Sequence, residues 1–221
     1  MDRDQLKRQV AVAALAWVRP GSILGVGTGS TVAHLIDALA SSGPSIVAAV
    51  ASSRATAEHL TRVGIDVMGL AEAGRIDVYI DGADEVDTGL RLIKGGGGAL
   101  TREKICAQSA AKFVCIVDEG KLVERLGATP LPIEVIPMAS RLVAERIAGW
   151  GGSSVLREGF TTDNGNIILD ASGLTLDDPE TLEMALDSFP GVVTSGLFAR
   201  RRADVVLSAG DDGVRELQSA R

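Results

Sequence analysis

The feature that most limits what this chain can fold into is a unit repeated through its first 118 residues. Each copy has a short apolar run, a turn rich in Gly or Ser, and then a helical pattern. Ser22-Ile23-Leu24-Gly25-Val26 passes through Gly27-Thr28-Gly29-Ser30-Thr31 into a helix marked by Val32, Leu35, Ile36 and Leu39. Ile46 to Val50 passes through Ala51-Ser52-Ser53 into a helix over 54–63. Ile65 to Leu70 is a further short strand candidate, and Ile76 to Ile80 is the strand that delivers Asp81. A helix over 102–111 then precedes Lys112 to Val117, a run ending at Asp118. Ahead of them all, residues 4–18 place Leu6, Val10, Ala14 and Trp17 at helical spacing until Pro20-Gly21 breaks the pattern. Apolar strands alternating with helices demand a parallel sheet covered on both faces.

The chain therefore reads as α/β, with a Rossmann-like parallel sheet and helices on both faces. Ligands of such sheets bind beyond the carboxyl ends of the strands, so the loops after each run are expected to converge on one rim. From residue 129 the style changes. Pro130, Pro132 and Pro137 bracket a strand over 133–136, followed by a helix over 139–148 and a strand over 154–157. An Asn164-Gly165 turn leads to a strand over 167–170, Asp178-Pro179-Glu180 starts a helix, and Val192 to Ala199 reads as one strand. This βαββαβ order predicts a smaller ferredoxin-like α+β domain over 129–202, with a packing or oligomerisation role. Residues 1–128 and 203–221 form the expected α/β catalytic domain, with Ala203 to Ser208 rejoining the first sheet.

Composition narrows the function. A net charge of -7 opposes a duplex-binding surface, and 3% aromatic residues oppose a stacking platform for single strands, so no nucleic-acid partner is expected. No run approaches a membrane span and the N-terminus is too charged for a secretory signal, which predicts a cytoplasmic protein without a membrane partner. Cys106 and Cys115 lack metal-ligand or redox spacing and read as reduced thiols. His34 and His59 fall in helical patterns and read as structural or surface residues.

Chemistry concentrates between Asp81 and Lys104. Asp81 and Asp84, with Gly82 and Ala83 between them, follow a strand and can both face one small ligand. Paired carboxylates separate their proton affinities, which suits acid–base work. The acidic spacing does not match a calcium loop and no histidine assists, so neither metal nor cofactor is expected. Lys94 precedes Gly95, Gly96 and Gly97, whose amides could join the ammonium around an oxyanion; the plainer reading is a surface lysine on a mobile loop. Glu103 would lie at the second helical position if Thr101 is the cap. There it could be a general base or simply complement the helix dipole. Thr28, Gly29, Ser30 and Thr31 enter a helix as an anion site suited to one phosphate monoester, or as an ordinary capped turn. The Walker and dinucleotide fingerprints do not fit this loop. Lys7, off the apolar stripe, reads by itself as a solvated lysine.

The segments GVGTGSTVAHLIDAL, DVYIDGADEVD, IKGGGGALTREKI, KFVCIVDEGKLVERLG, PLPIEVIPMA, TTDNGNIILD and PGVVTSGLFARRRADVVL together resemble the type A ribose-5-phosphate isomerases over nearly the whole chain. The resemblance implies metal-independent interconversion of ribose 5-phosphate and ribulose 5-phosphate through an enediol. It implies that Glu103 moves the proton between C1 and C2. Asp81, Asp84 and Lys94 would bind sugar oxygens, assist ring opening and steady the enediolate. Thr28 to Thr31 match a substrate-contacting segment, Lys121 a substrate-contacting lysine and Lys7 a phosphate contact. Arg54 and Arg200-Arg201-Arg202 depart from the family pattern. A homodimer or tetramer acting on a pentose phosphate is the expected assembly. The competing readings are a non-catalytic sugar-phosphate sensor and an acyl or CoA transferase using a glutamate.

Overall fold

A computed structural model describes residues 1–218, so the last three residues of the expected 203–221 segment lie outside the described residues. In chain order the elements begin with α1 (Arg3–Ala14), β1 (Ile23–Val26), α2 (Ser30–Ser42), β2 (Ala48–Ala51), α3 (Arg54–Arg62) and α4 (Leu70–Ala73). Next come β3 (Ile76–Asp81), β4 (Glu85–Val86), β5 (Leu92–Ile93), α5 (Leu100–Ser109) and β6 (Ala110–Asp118). They continue with β7 (Leu131–Val135), α6 (Ser140–Gly149), β8 (Ser153–Leu156), β9 (Ile167–Ser172) and α7 (Pro179–Asp187). The last are β10 (Val192–Ser195), β11 (Leu197–Phe198), β12 (Val205–Gly210) and β13 (Gly213–Gln218).

The elements fall into two compact units. The first comprises residues 1–83 and 102–122 and the chain from Ala203 onward; the second comprises 84–101 and 123–202. Residues 84–101 and 123–128, expected with the α/β sheet, thus count with the second unit. The reason is strand pairing: β4 and β5 form an antiparallel pair extended by β11, and the Val123 N–H donates to the Val86 carbonyl.

The first unit is a six-stranded sheet of order β13-β12-β6-β3-β1-β2, parallel throughout except for β13 at one edge. Val78 and Ile80 on β3 pack with Leu6, Val10, Leu35 and Leu60, so α1, α2 and α3 share one core. A capping box starts α1: Asp2 accepts the Gln5 N–H at 2.8 Å and the Gln5 side chain accepts the Asp2 N–H at 3.2 Å. The run from Ile65 to Leu70 is not a strand. Val67 makes only an isolated bridge to Ala49, and Leu70 already starts the short α4.

The second unit holds an antiparallel sheet of order β10-β7-β9-β8, which with α6 and α7 is the ferredoxin-like arrangement. Its core packs Ile133, Val135, Val143, Ile147 and Leu169. The single strand expected over 192–199 is two. At Gly196 the chain leaves the four-stranded sheet for the three-stranded one, its N–H donating to Pro132 and its carbonyl accepting from Lys94. A Cβ there would fall 2.2 Å from the Lys94 carbonyl oxygen, which leaves room only for glycine. Among the described residues no helix is long and apolar enough to cross a membrane.

Candidate active site

Alternation along β3 decides what each side chain meets. Val78 and Ile80 enter the helical core, so Tyr79 and Asp81 share the opposite face. Asp81, the last residue of the strand, is fully buried. Its Oδ1 accepts N–H bonds from Thr28 at 3.0 Å and Gly82 at 2.8 Å, and its Oδ2 accepts the Tyr79 hydroxyl at 2.5 Å. Charge-assisted bonds of this kind are strong, so the carboxylate ties the Thr28 loop to the end of β3. The approach leaves no space at Gly27, where a Cβ would lie 1.9 Å from Asp81 Oδ1.

The loop is braced from its other side by α3. Thr28 Oγ1 lies 2.9 Å from Ser52 Oγ, and the Thr56 hydroxyl donates to the Gly27 carbonyl at 2.7 Å. Gly29 caps α2 with φ +127, a backbone that side chains rarely tolerate. Ser30 and Thr31 open the helix, and the half-buried Lys7 donates its ammonium to Ser30 Oγ at 2.9 Å. The structure brings helix-start amides, hydroxyls and an ammonium together at this loop, with Lys7 joined to it rather than merely solvated.

Helix α5 starts at Leu100, so Glu103 is its fourth residue and Thr101 is not the cap. The Thr101 hydroxyl instead donates to Glu134 at 2.5 Å. Glu103 is only 4% exposed. Burial first, then the Asp81 and Glu103 carboxylates, holds the Tyr79 phenol well above its usual range. The same causes, in the same order, push the Cys106 thiol up to about 12. Two buried groups thus feel Asp81 and Glu103 together, which places both carboxylates in one neighbourhood of the first unit. Gly82 and Ala83 are half-buried in the loop after β3. Lys121, also half-buried, lies in the single turn Glu119–Lys121 after β6, the strand beside β3. The histidines bridge helices at the surface, His34 to Asp4 and His59 to Asp37, each at 2.9 Å.

The remaining expected residues belong to the second unit. Asp84 grips the glycine run: its Oδ2 accepts the Gly96 N–H at 2.8 Å, and its own N–H donates to the Ile93 carbonyl at 2.8 Å. Gly95 and Gly98 close a tight turn through a 2.9 Å bond, with φ +100 and +78. Gly96 and Gly97 are exposed at its tip. Lys94 is 2% exposed, with its ammonium 5.6 Å from the centre of the Phe198 ring, which rules out a surface lysine on a loose loop. Two residues of this unit were not singled out in the sequence. Arg157 pairs with Asp170 and donates to the Gly95 and Gly96 carbonyls at 3.2 and 3.1 Å. Glu134, buried at the centre of the unit, accepts from Thr101, Thr162, Asn164 and Asn166. Among the described residues no group of three or more His, Cys, Asp or Glu is arranged to hold a metal ion.

Residues 48–213 match the family model of ribose 5-phosphate isomerase A (phosphoriboisomerase A). The chain belongs to that family. It is similar to the ribose-5-phosphate isomerase A of Bordetella petrii, 53% identical over 222 residues and covering 99% of each chain. Among solved structures, the family member from Neisseria gonorrhoeae superposes with a TM-score of 0.98 at 44% identity, covering 100% of this chain and 99% of that one. A D-ribose-5-phosphate isomerase in complex with phospho-erythronic acid superposes at 0.95, with 38% identity over 99% of this chain and 100% of that one.

Proposed function

We propose that this chain interconverts D-ribose 5-phosphate and D-ribulose 5-phosphate by a metal-independent proton transfer, with Glu103 as the base. The observation that carries the reading is membership of the family over essentially the full length of its relatives. The burial of Glu103 supports the choice of base, since a side chain held away from bulk water is a positioned proton carrier. One relative binds phospho-erythronic acid. That molecule carries a phosphate and a carboxylate, a charge pattern close to that of a pentose phosphate enediolate.

In the proposed reaction the opened aldose gives its C2 proton to Glu103, and the electron pair forms the C1–C2 double bond as charge develops on O1. Glu103 returns the proton to C1, while the O2 hydroxyl proton passes to O1, so that O1 becomes a hydroxyl and C2 the ketone. Lys94 and the amides of Gly95 to Gly97 balance the developing charge, the commonest source of catalytic power. Asp84 takes sugar oxygens and assists ring opening. Asp81 does so with Gly82 and Ala83, and its bonds to Thr28 and Tyr79 also fix the loop that receives phosphate. Thr28 to Thr31 and Lys7 hold the phosphate end, and Lys121 contacts the substrate. The same reading takes the protein as a cytoplasmic homodimer or tetramer, which light scattering on the purified protein checks.

Replacing Glu103 by Gln is expected to lower turnover about 10²–10⁴-fold, the range for a positioned proton carrier, while ribose 5-phosphate still binds. Near-normal turnover in the variant would sink the assignment of the base. Chelator is expected to leave wild-type turnover unchanged. Binding without turnover in the wild type would instead favour a sugar-phosphate sensor.

A further inference from the structure

The glycine turn is held from two sides. Asp84 takes the Gly96 N–H. From the other side the Arg157 guanidinium donates through Nη1 to the carbonyls of Gly95 and Gly96. Its Nε and Nη2 form a fork on Asp170, at 2.9 and 2.5 Å, on the neighbouring strand β9. Both side chains are largely buried, at 21% and 25% exposure, and Phe160 lies 5.5 Å from the guanidinium carbon. A planar fork fixed by a carboxylate is a rigid anchor in a way that a lysine is not.

The anchor has a directional consequence. No peptide bond among the described residues is cis, and in a planar trans peptide the carbonyl and the following N–H point oppositely. Pulling the Gly96 carbonyl onto Arg157 therefore turns the Gly97 N–H away from it, at the exposed tip of the turn. We infer that Arg157, oriented by Asp170, is a positioning residue that presents the Gly97 N–H as a donor to the oxyanion of the isomerised sugar. The inference rests on the proposed isomerase activity. It goes beyond it in giving the glycine turn a fixed shape and naming the residues that impose it. Donors aimed where charge develops act in the transition state rather than in binding. Their displacement therefore shows in kcat more than in KM.

The test is steady-state kinetics on ribose 5-phosphate with Arg157→Ala, Arg157→Lys and Asp170→Asn, alongside Arg141→Ala as an exposed ion-pair control. Arg157→Ala is expected to lose about tenfold to a hundredfold in kcat, as for a misplacement of order 1 Å, with KM changed far less. Low concentrations of free guanidinium should restore part of that kcat, which a loss of folded protein would not allow. Should Arg157→Ala fail to fold, Arg157→Lys decides: a reduced kcat at an unchanged melting temperature supports the inference, and wild-type kcat overturns it. Arg157→Ala turning over within a factor of two of wild type also overturns it, as does a loss confined to KM. A wild-type protein without turnover refutes the isomerase reading before any variant is made, and takes this inference with it.

Discussion

Gly27→Ala is the sharpest single perturbation of the first unit, because the backbone tolerates alanine there and only the contact objects. The added Cβ would lie 1.9 Å from Asp81 Oδ1, 2.0 Å from Cγ and 2.5 Å from Cβ. Reaching an ordinary contact near about 3.5 Å requires the carboxylate to move by about 1.5 Å. The Oδ1 bonds from Thr28 and Gly82 are already 3.0 and 2.8 Å long, so such a movement breaks both. Hydrogen bonds to a charged group contribute about 1.5–3 kcal/mol each, so losing two costs about 4 kcal/mol. The fully buried Tyr79 hydroxyl also loses its acceptor. At about 2–4 °C per kcal/mol for a chain of this size, calorimetry should show a melting temperature about 8–16 °C lower. Turnover at a temperature where the variant remains folded should fall as well, because the Thr28 loop is released from β3. A variant melting within about 2 °C of wild type, less than about 1 kcal/mol by the same scaling, would refute the claim that Asp81 is locked in place.

Two other outcomes follow from the same kind of contact. Gly98→Ala puts a Cβ 2.2 Å from the Phe160 ring at φ +78, so turnover should drop; adding Phe160→Ala should recover part of the loss, measured as non-additivity in a double-mutant cycle. With its thiol pushed up to about 12, Cys106 holds only about 10⁻⁴ of its population as thiolate at pH 8, so iodoacetamide should label it only after unfolding, as read by mass spectrometry.

Much of the first unit was legible because its strands are buried on both faces and so read as unbroken apolar runs, as Phe113 to Val117 does. The run from Ile65 to Leu70 misled for the same reason: apolar content cannot tell a strand from an extended segment that pairs once, through Val67. Strands of two residues, β4, β5 and β11, carry no periodicity at all. The edge strand β13, with Arg215 and Glu216 exposed, lacks an apolar signature. At the candidate site, Asp81, Asp84 and Lys94 stood out as charges near glycines or a strand end, and Glu103 as an acid at a helix start. Arg157 did not, because its meaning depends on a register that sets it against Asp170 and on a turn sixty residues upstream. The burial of Lys94 was hidden likewise, since Gly196 and Phe198, which its backbone and side chain meet, are a hundred residues away in sequence.

The strand order of the six-stranded sheet also bears on how the protein is made. β6 is flanked by β3, synthesised just before it, and by β12, which emerges only after the whole of 123–202. Until then the β12-facing edge of β6 bears unpaired backbone groups beside Val114 and Ile116, residues that end up fully buried. Such an edge is a template for joining another chain. The intervening segment meanwhile contains all four strands of its own sheet and can order without waiting. The nascent chain therefore passes through a stage in which its later-made portion is folded and its earlier-made portion is still open. In that interval, rather than in the finished molecule, the β6 edge is open to pairing with another chain.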